Sequence, residues 1–463
     1  MGVLTFKRLA ISLFVLAVAL TGLVVARFYW PALPHVNYEQ KFQELCEQTQ
    51  PPNHALPNLE PELRRILDEL KSFEEQNTAR RGDSEPLDWS VVTYCGSDPA
   101  MLKNLDAMAE ELENLRQTGF FERTTIFARN GRFLAPPPQN MANAVLVDYF
   151  GPARKLSLCL TARLRRAIEH DDDIDAGKCL REILGLSQAV MRRPLFVDYL
   201  VGMSFTTTAM DVMKDVLPLS RPSPTLLRSL RDAMMERPID FDPRSALKGE
   251  KIFALANDQQ TYEEDRSIFS TDWVASWRLI RRTHGEQVGI TNRVFDLLEE
   301  SVDAYPRLDP VSSDKLVARI DQLDLHGTRS LIGSLGSIYV NMLRTPSSRS
   351  CIRDGTLLYI AIRLYEAERG MPPSTLNELV PFYLPEFPSD PFATDGAFVY
   401  RPQPLPLPSA PSFTLYSVGL DGKDNGGTPS SKDHLALFDP TAAGTDYIFG
   451  LPPAPTPTGE NAP

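Results

Sequence analysis

The chain has 463 residues, 43% hydrophobic and 23% charged, the balance of a globular protein long enough for more than one domain. A formal net charge of -12 opposes binding to nucleic acid, so no nucleic-acid partner is expected. The five cysteines contain no C-x-x-C pair, which argues against a zinc knuckle or a thioredoxin-type site.

The stretch Leu9–Ala26 (LAISLFVLAVALTGLVVA) carries no charge, and as a helix it nearly matches a bilayer core of ~30 Å. Lys7 and Arg8 precede it, and Phe28, Tyr29 and Trp30 follow it. Residues 1–30 therefore read as a cytoplasmic tip and a single transmembrane helix, with the lipid bilayer as partner through Leu9–Ala26 and the rest of the chain outside the cytosol. A cleaved secretory signal ending near Ala17-Val18-Ala19 is the other reading, and both export the body.

Residues 31–57, rich in proline, read as a linker. Residues 58–349 read as a large α-helical body, either an antiparallel bundle or an irregular solenoid. Apolar residues recur at helical spacing in 61–73, 99–115, 143–169, 174–191, 197–216, 225–235, 289–302, 313–323 and 328–343. The segment 120–133 (FFERTTIFARNGRF) reads instead as a β-hairpin turning at Asn130-Gly131. Cys159 and Cys179 lie in apolar helical context and read as core thiols. A Cys46–Cys95 disulfide is compatible with an exported body.

The body lacks catalytic signatures. Its histidines are scattered, and no H-E-x-x-H, G-x-S-x-G or Walker-type sequence occurs, so no catalytic residue is assigned. The run 169–175 (EHDDDID) reads as a solvated turn whose aspartate caps the next helix, because consecutive residues on a helix diverge and cannot converge on a metal. Gly333-Ser334-Leu335-Gly336-Ser337 reads as a place of close helix packing, and Trp273 and Trp277, four apart, as packing anchors.

Residues 350–450 read as a small α/β module and 451–463 as a disordered proline-rich tail. A helix over 353–370 precedes two short antiparallel strands, 397–400 and 413–418, on either side of a proline-rich spacer. The second strand opens into LDGKDNGG, which offers a hard cation several oxygens and glycines that let the backbone turn around it. Asp424 and Asn425 are oxygen donors on chemical grounds. The competing reading is a turn that closes on its own hydrogen bonds without metal.

The segments LYIAIRLYEAERGMPP, FPSDP, AFVYRP and LYSVGLDGKDNGG, in that order, resemble the C-terminal half of the type II secretion system major pseudopilin. That family shows a helix ending in an alanine-, tyrosine- and glycine-rich turn with proline. A Leu-Pro-x-Asp-Pro-x-Gly-x-x-Tyr strand follows, then Tyr-Ser-x-Gly-x-Asp-Gly-x-x-Gly-Gly and a later aspartate. The resemblance implies a Ca²⁺ held by Asp421 and Asp433 with main-chain carbonyls near 418–420; with the N-terminal anchor and its flanking charges, the expected location is the bacterial cytoplasmic membrane with the body in the periplasm. The chain departs from the family in placing residues 31–349 between apolar helix and module, in its start, and in the inserted segment 428–432. The expectation is a mainly α, membrane-anchored extracytoplasmic scaffold with a pseudopilin-like end module and a protein partner. An envelope hydrolase and a divergent secretion-system component are the alternatives.

Overall fold

The computed structural model describes residues 33–81, 87–93, 99–134, 150–267, 283–302, 310–323, 331–404, 411–429 and 444–450. Among them are twelve α-helices, short 3-10 turns and one three-stranded antiparallel sheet. The helices are α1 (Tyr38–Gln48), α2 (Glu60–Arg81), α3 (Pro99–Gln117), α4 (Phe120–Thr124), α5 (Phe150–Glu169) and α6 (Asp173–Met191). They continue as α7 (Phe196–Val216), α8 (Pro224–Glu236), α9 (Arg244–Ser267), α10 (His284–Val302), α11 (Pro310–Leu323) and α12 (Leu331–Arg369). The strands are β1 (Val399–Arg401), β2 (Thr414–Ser417) and β3 (Tyr447–Ile448), in the order β1-β2-β3. No described helix is long and apolar enough to cross a membrane; Leu9–Ala26 lies outside the described residues.

The body is organised around α6. Asp172 caps its start by accepting the Asp175 N–H at 3.0 Å, and Asp171 turns the chain at φ 57, so the acidic run is the expected helix-capping turn. α6 is packed by α5, α7, α8 and the turn Thr125–Ala128. Being enclosed, it buries residues all round and not along one stripe. Two glycines permit this. A Cβ at Gly185 would sit 1.8 Å from the Phe127 carbonyl oxygen, and one at Gly177 2.1 Å from Ser229 Oγ.

Two expected elements differ. Residues 120–133 are not a hairpin: they form α4 and the 3-10 turn Thr125–Ala128. A helical turn buries Phe120, Phe121, Thr124 and Phe127 together, with Thr124 reaching Glu182 and Phe127 lying at Gly185 of α6, whereas an alternating strand would have sent neighbours Phe120 and Phe121 to opposite faces. Within the proline-rich segment 31–57, Asn37 caps the helix α1. Its Tyr38, Phe42 and Cys46 form a small satellite core with Leu195, against Ile252 and Phe253 of α9. The long polar helix α9 itself was not read from the sequence.

α12 runs unbroken through Pro346 and across position 350, where the body was expected to give way to the module. Gly333 to Ser337 lie inside it. Its second half carries the sheet: a Cβ at Gly355 would meet the Phe449 ring at 2.0 Å, and one at Gly450 would meet the Tyr359 ring at 2.4 Å. β2 is buried along its whole length and pairs with β1 (Tyr400 opposite Leu415) and β3 (Ser417 opposite Tyr447). One continuous apolar core runs from Leu59 to Phe449. Cys46, Cys159, Cys179 and Cys351 are buried free thiols; Cys95, Trp273 and Trp277 lie outside the described residues.

Candidate functional site

Among the described residues, the glycine-rich loop after β2 and a cleft between α3, α5 and α6 each bring polar groups together. In the loop, Gly419, Gly422, Gly426 and Gly427 all have positive φ, which explains their density. The carboxylates they surround are turned onto N–H and O–H donors. Asp421 accepts from Lys423 N at 3.0 Å, Gly444 N at 2.9 Å and Asn425 Nδ2 at 3.3 Å. Asp424 points elsewhere, accepting from the Tyr416 hydroxyl at 2.6 Å and Gly426 N at 2.8 Å, with Arg401 at 3.7 Å. Those hydrogen bonds hold its carboxyl below the usual range.

The organising carboxylate of the loop is Asp446, which the sequence reading did not single out. It accepts the N–H groups of Asn425 (3.2 Å), Gly427 (2.7 Å) and Thr428 (3.2 Å). Burial pushes its pKa up, and the three N–H groups partly offset this. Asp390 of the FPSDP segment is buried in the same way, with Phe392 N at 3.0 Å and Val418 N at 3.4 Å, and ties that segment to the end of β2.

Asp421 and Asn425 meet, with Asn425 Nδ2 donating to Asp421 at 3.3 Å, Asp424 turns away to Tyr416, and Asp433 lies outside the described residues. Among the described residues no group of three His, Cys, Asp or Glu side chains is placed to hold a metal ion. Calcium asks for six to eight oxygens facing inward, and the described carboxylates are instead turned onto N–H and O–H donors around the loop.

The cleft encloses about 360 Å³ and is lined by Leu112, Glu113 and Arg116 of α3, Phe121, Arg163 and Arg166, then His170, Asp172 and Asp175. Its floor is Arg163, only 11% exposed, whose guanidinium lies 4.5 Å over the Phe121 ring. Arg163 forms a fork on Asp175, with Nε to Oδ2 at 3.0 Å and Nη2 to Oδ1. Its remaining arm, Nη1, stands 3.5 Å from Glu182 Oε2. Glu182 is fully buried, accepts from Thr124 Oγ1 at 2.8 Å, and has no partner for Oε1 among the described residues. Burial pushes its pKa up to about 7, against the pull of Arg163 and Thr124. Cys179 lies beside them, Sγ 3.8 Å from Asp175 Oδ2, and burial holds its thiol far from ionisation. The only hint of this cluster in the sequence is one acidic residue inside the apolar run CLREILGL.

Comparison with known families, curated proteins and solved structures finds no match to this chain.

Proposed function

We propose that the chain is a membrane-tethered, extracytoplasmic interaction protein whose pseudopilin-like end unit offers an apolar docking edge to a protein partner. The observation that carries this reading is the exposure of three large apolar side chains on one segment, 371–387. Met371 is 65% exposed, Phe382 85% and Phe387 43%. Large apolar side chains left exposed on one braced segment give a partner apolar area to bury. Here the segment is held firmly around them. Tyr383 donates to Glu368 at 2.7 Å, Tyr365 donates to Glu378, and Thr375 and Glu378 form a reciprocal capping box. Tethering through Leu9–Ala26 would set the edge at a fixed distance from the bilayer, and the shared helix α12 would make the body its rigid support.

A photo-crosslinking residue at position 382 in the full-length chain tests this in cells, with position 174 on the body, also exposed, as control. Discrete protein adducts at 382 that are absent at 174 are expected and should disappear with Met371→Ser. No adduct at 382, or identical adducts at both positions, would overturn the reading.

A further inference from the structure

The cluster beneath the cleft holds one cation between two acids in unlike surroundings. Asp175 is part exposed, in the first turn of α6, and accepts two arms of Arg163. Glu182, two turns further along the same helix, is sealed from solvent with one oxygen unpaired. The groups acting on Glu182 are Arg163 of α5, Thr124 of α4, and Lys178 and Asp175 of its own helix. The turn Thr125–Ala128 against α6 carries no ionisable side chain. On α7 and α8 the charged groups pair elsewhere, Asp198 with Arg193, Lys214 with Asp215, Arg228 with Glu368, Arg231 with Asp232 and Glu236 with Arg181, while Asp211 acts on Arg349 and Tyr447.

We propose that Arg163 is a proton-governed latch: while Glu182 is protonated it holds Asp175 and the start of α6, and when Glu182 loses its proton it turns inward and frees Asp175 to the cleft. The driving force is the cost of a bare carboxylate in a sealed site, relieved only by a full ion pair with the nearest cation. Arg163 is that cation, and one arm already lies 3.5 Å away. The proton leaves to solvent water, so the overall change is one negative charge gained and its counterion moved from Asp175 to Glu182. Freed, Asp175 adds a carboxylate to a cleft that also presents Asp172, Glu113, Arg116 and Arg166, changing which ligand charges it tolerates. The cleft thus gains negative charge above neutrality.

The sign follows from linkage. Glu182 binds its proton more tightly folded than unfolded, so its contribution to stability is full below the ordinary value of 4.5 and is lost as pH rises through about 7. Between pH 5 and 8 that displacement corresponds to about a 70-fold fall in the folding equilibrium constant. Full-length protein and Glu182→Gln are compared by denaturant titration from pH 5 to 8 and by hydrogen exchange of the amides at the start of α6. The wild-type chain is expected to lose stability across this window and protection at 173–177, beyond the intrinsic pH effect. Glu182→Gln should do neither, and Asp175→Asn should show the unprotected state at every pH. Should the glutamine variant fail to fold, carbon-13 titration of the wild-type Glu182 carboxyl reads the same group directly. A midpoint near 4.5, or equal pH profiles for wild type and Glu182→Gln, overturns the latch.

Discussion

Phe449→Ala asks whether the end module is a separate unit or part of one cooperative fold. Phe449 is 1% exposed and lies against Gly355 of α12, where even a methyl group would meet its ring at 2.0 Å. It packs edge-on to Phe398 at 5.8 Å and Tyr447 at 5.1 Å, and its N–H donates to Leu415 O at 2.9 Å. Truncating a buried phenylalanine costs about 3–5 kcal/mol. Two aromatic contacts and little room for the rigid helix α12 to collapse favour the middle of that range, about 4 kcal/mol. The body and module share one core and one helix, and at the seam Arg353 donates to Ile239 O and lies 5.6 Å over Phe241, while Lys214 sits 5.6 Å over the Tyr447 ring. The loss should therefore reach α6 in full. Native-state hydrogen exchange reads this as about a thousandfold loss of protection at the slowest α6 amides, equal to the loss at β2. If β2 loses protection while α6 keeps it, the module unfolds by itself and the argument from the shared helix is wrong.

A pair of glycine substitutions separates crowding from helix propensity. Gly185→Ala places a methyl group 1.8 Å from the Phe127 carbonyl oxygen and should destabilise by roughly 3 kcal/mol, while Gly289→Ala on α10, with nothing within 4 Å, should stabilise by up to about 1 kcal/mol. Equal shifts in denaturant midpoint would refute the close approach. In the glycine-rich loop, Asp446→Ala leaves the N–H groups of Asn425, Gly427 and Thr428 without their acceptor and should cost about 2–3 kcal/mol. A chelator should leave the wild-type melting temperature unchanged. A chelator-sensitive melt with a neutral Asp446→Ala would show that metal, not hydrogen bonding, closes the loop.

Read from the sequence alone, the periodic apolar residues of 174–191 and 197–216 specify helices within a residue of their observed ends, because a 3.6-residue repeat leaves few alternatives. The same locality explains the aspartate cap at Asp172, the strands near 399 and 414, and the turn-forming glycines of the loop. What failed was decided by distant partners. Phe120 to Phe127 became helical because the surroundings, Arg163 of α5 and Glu182 and Gly185 of α6 among them, bury four side chains at helical spacing, and local pattern cannot anticipate those surroundings. Asp446 organises a loop whose glycines lie some twenty positions earlier, so nothing in its neighbours marks it. Glu182 is set apart by burial alone, which is a property of the helices closing around α6 and not of the residues beside it. Short-range spacing determined which segments coil and where they stop; only the packing of remote segments determined which carboxylates are sealed, paired or left facing a cleft, since charge energetics depend on the surrounding dielectric that the whole fold creates.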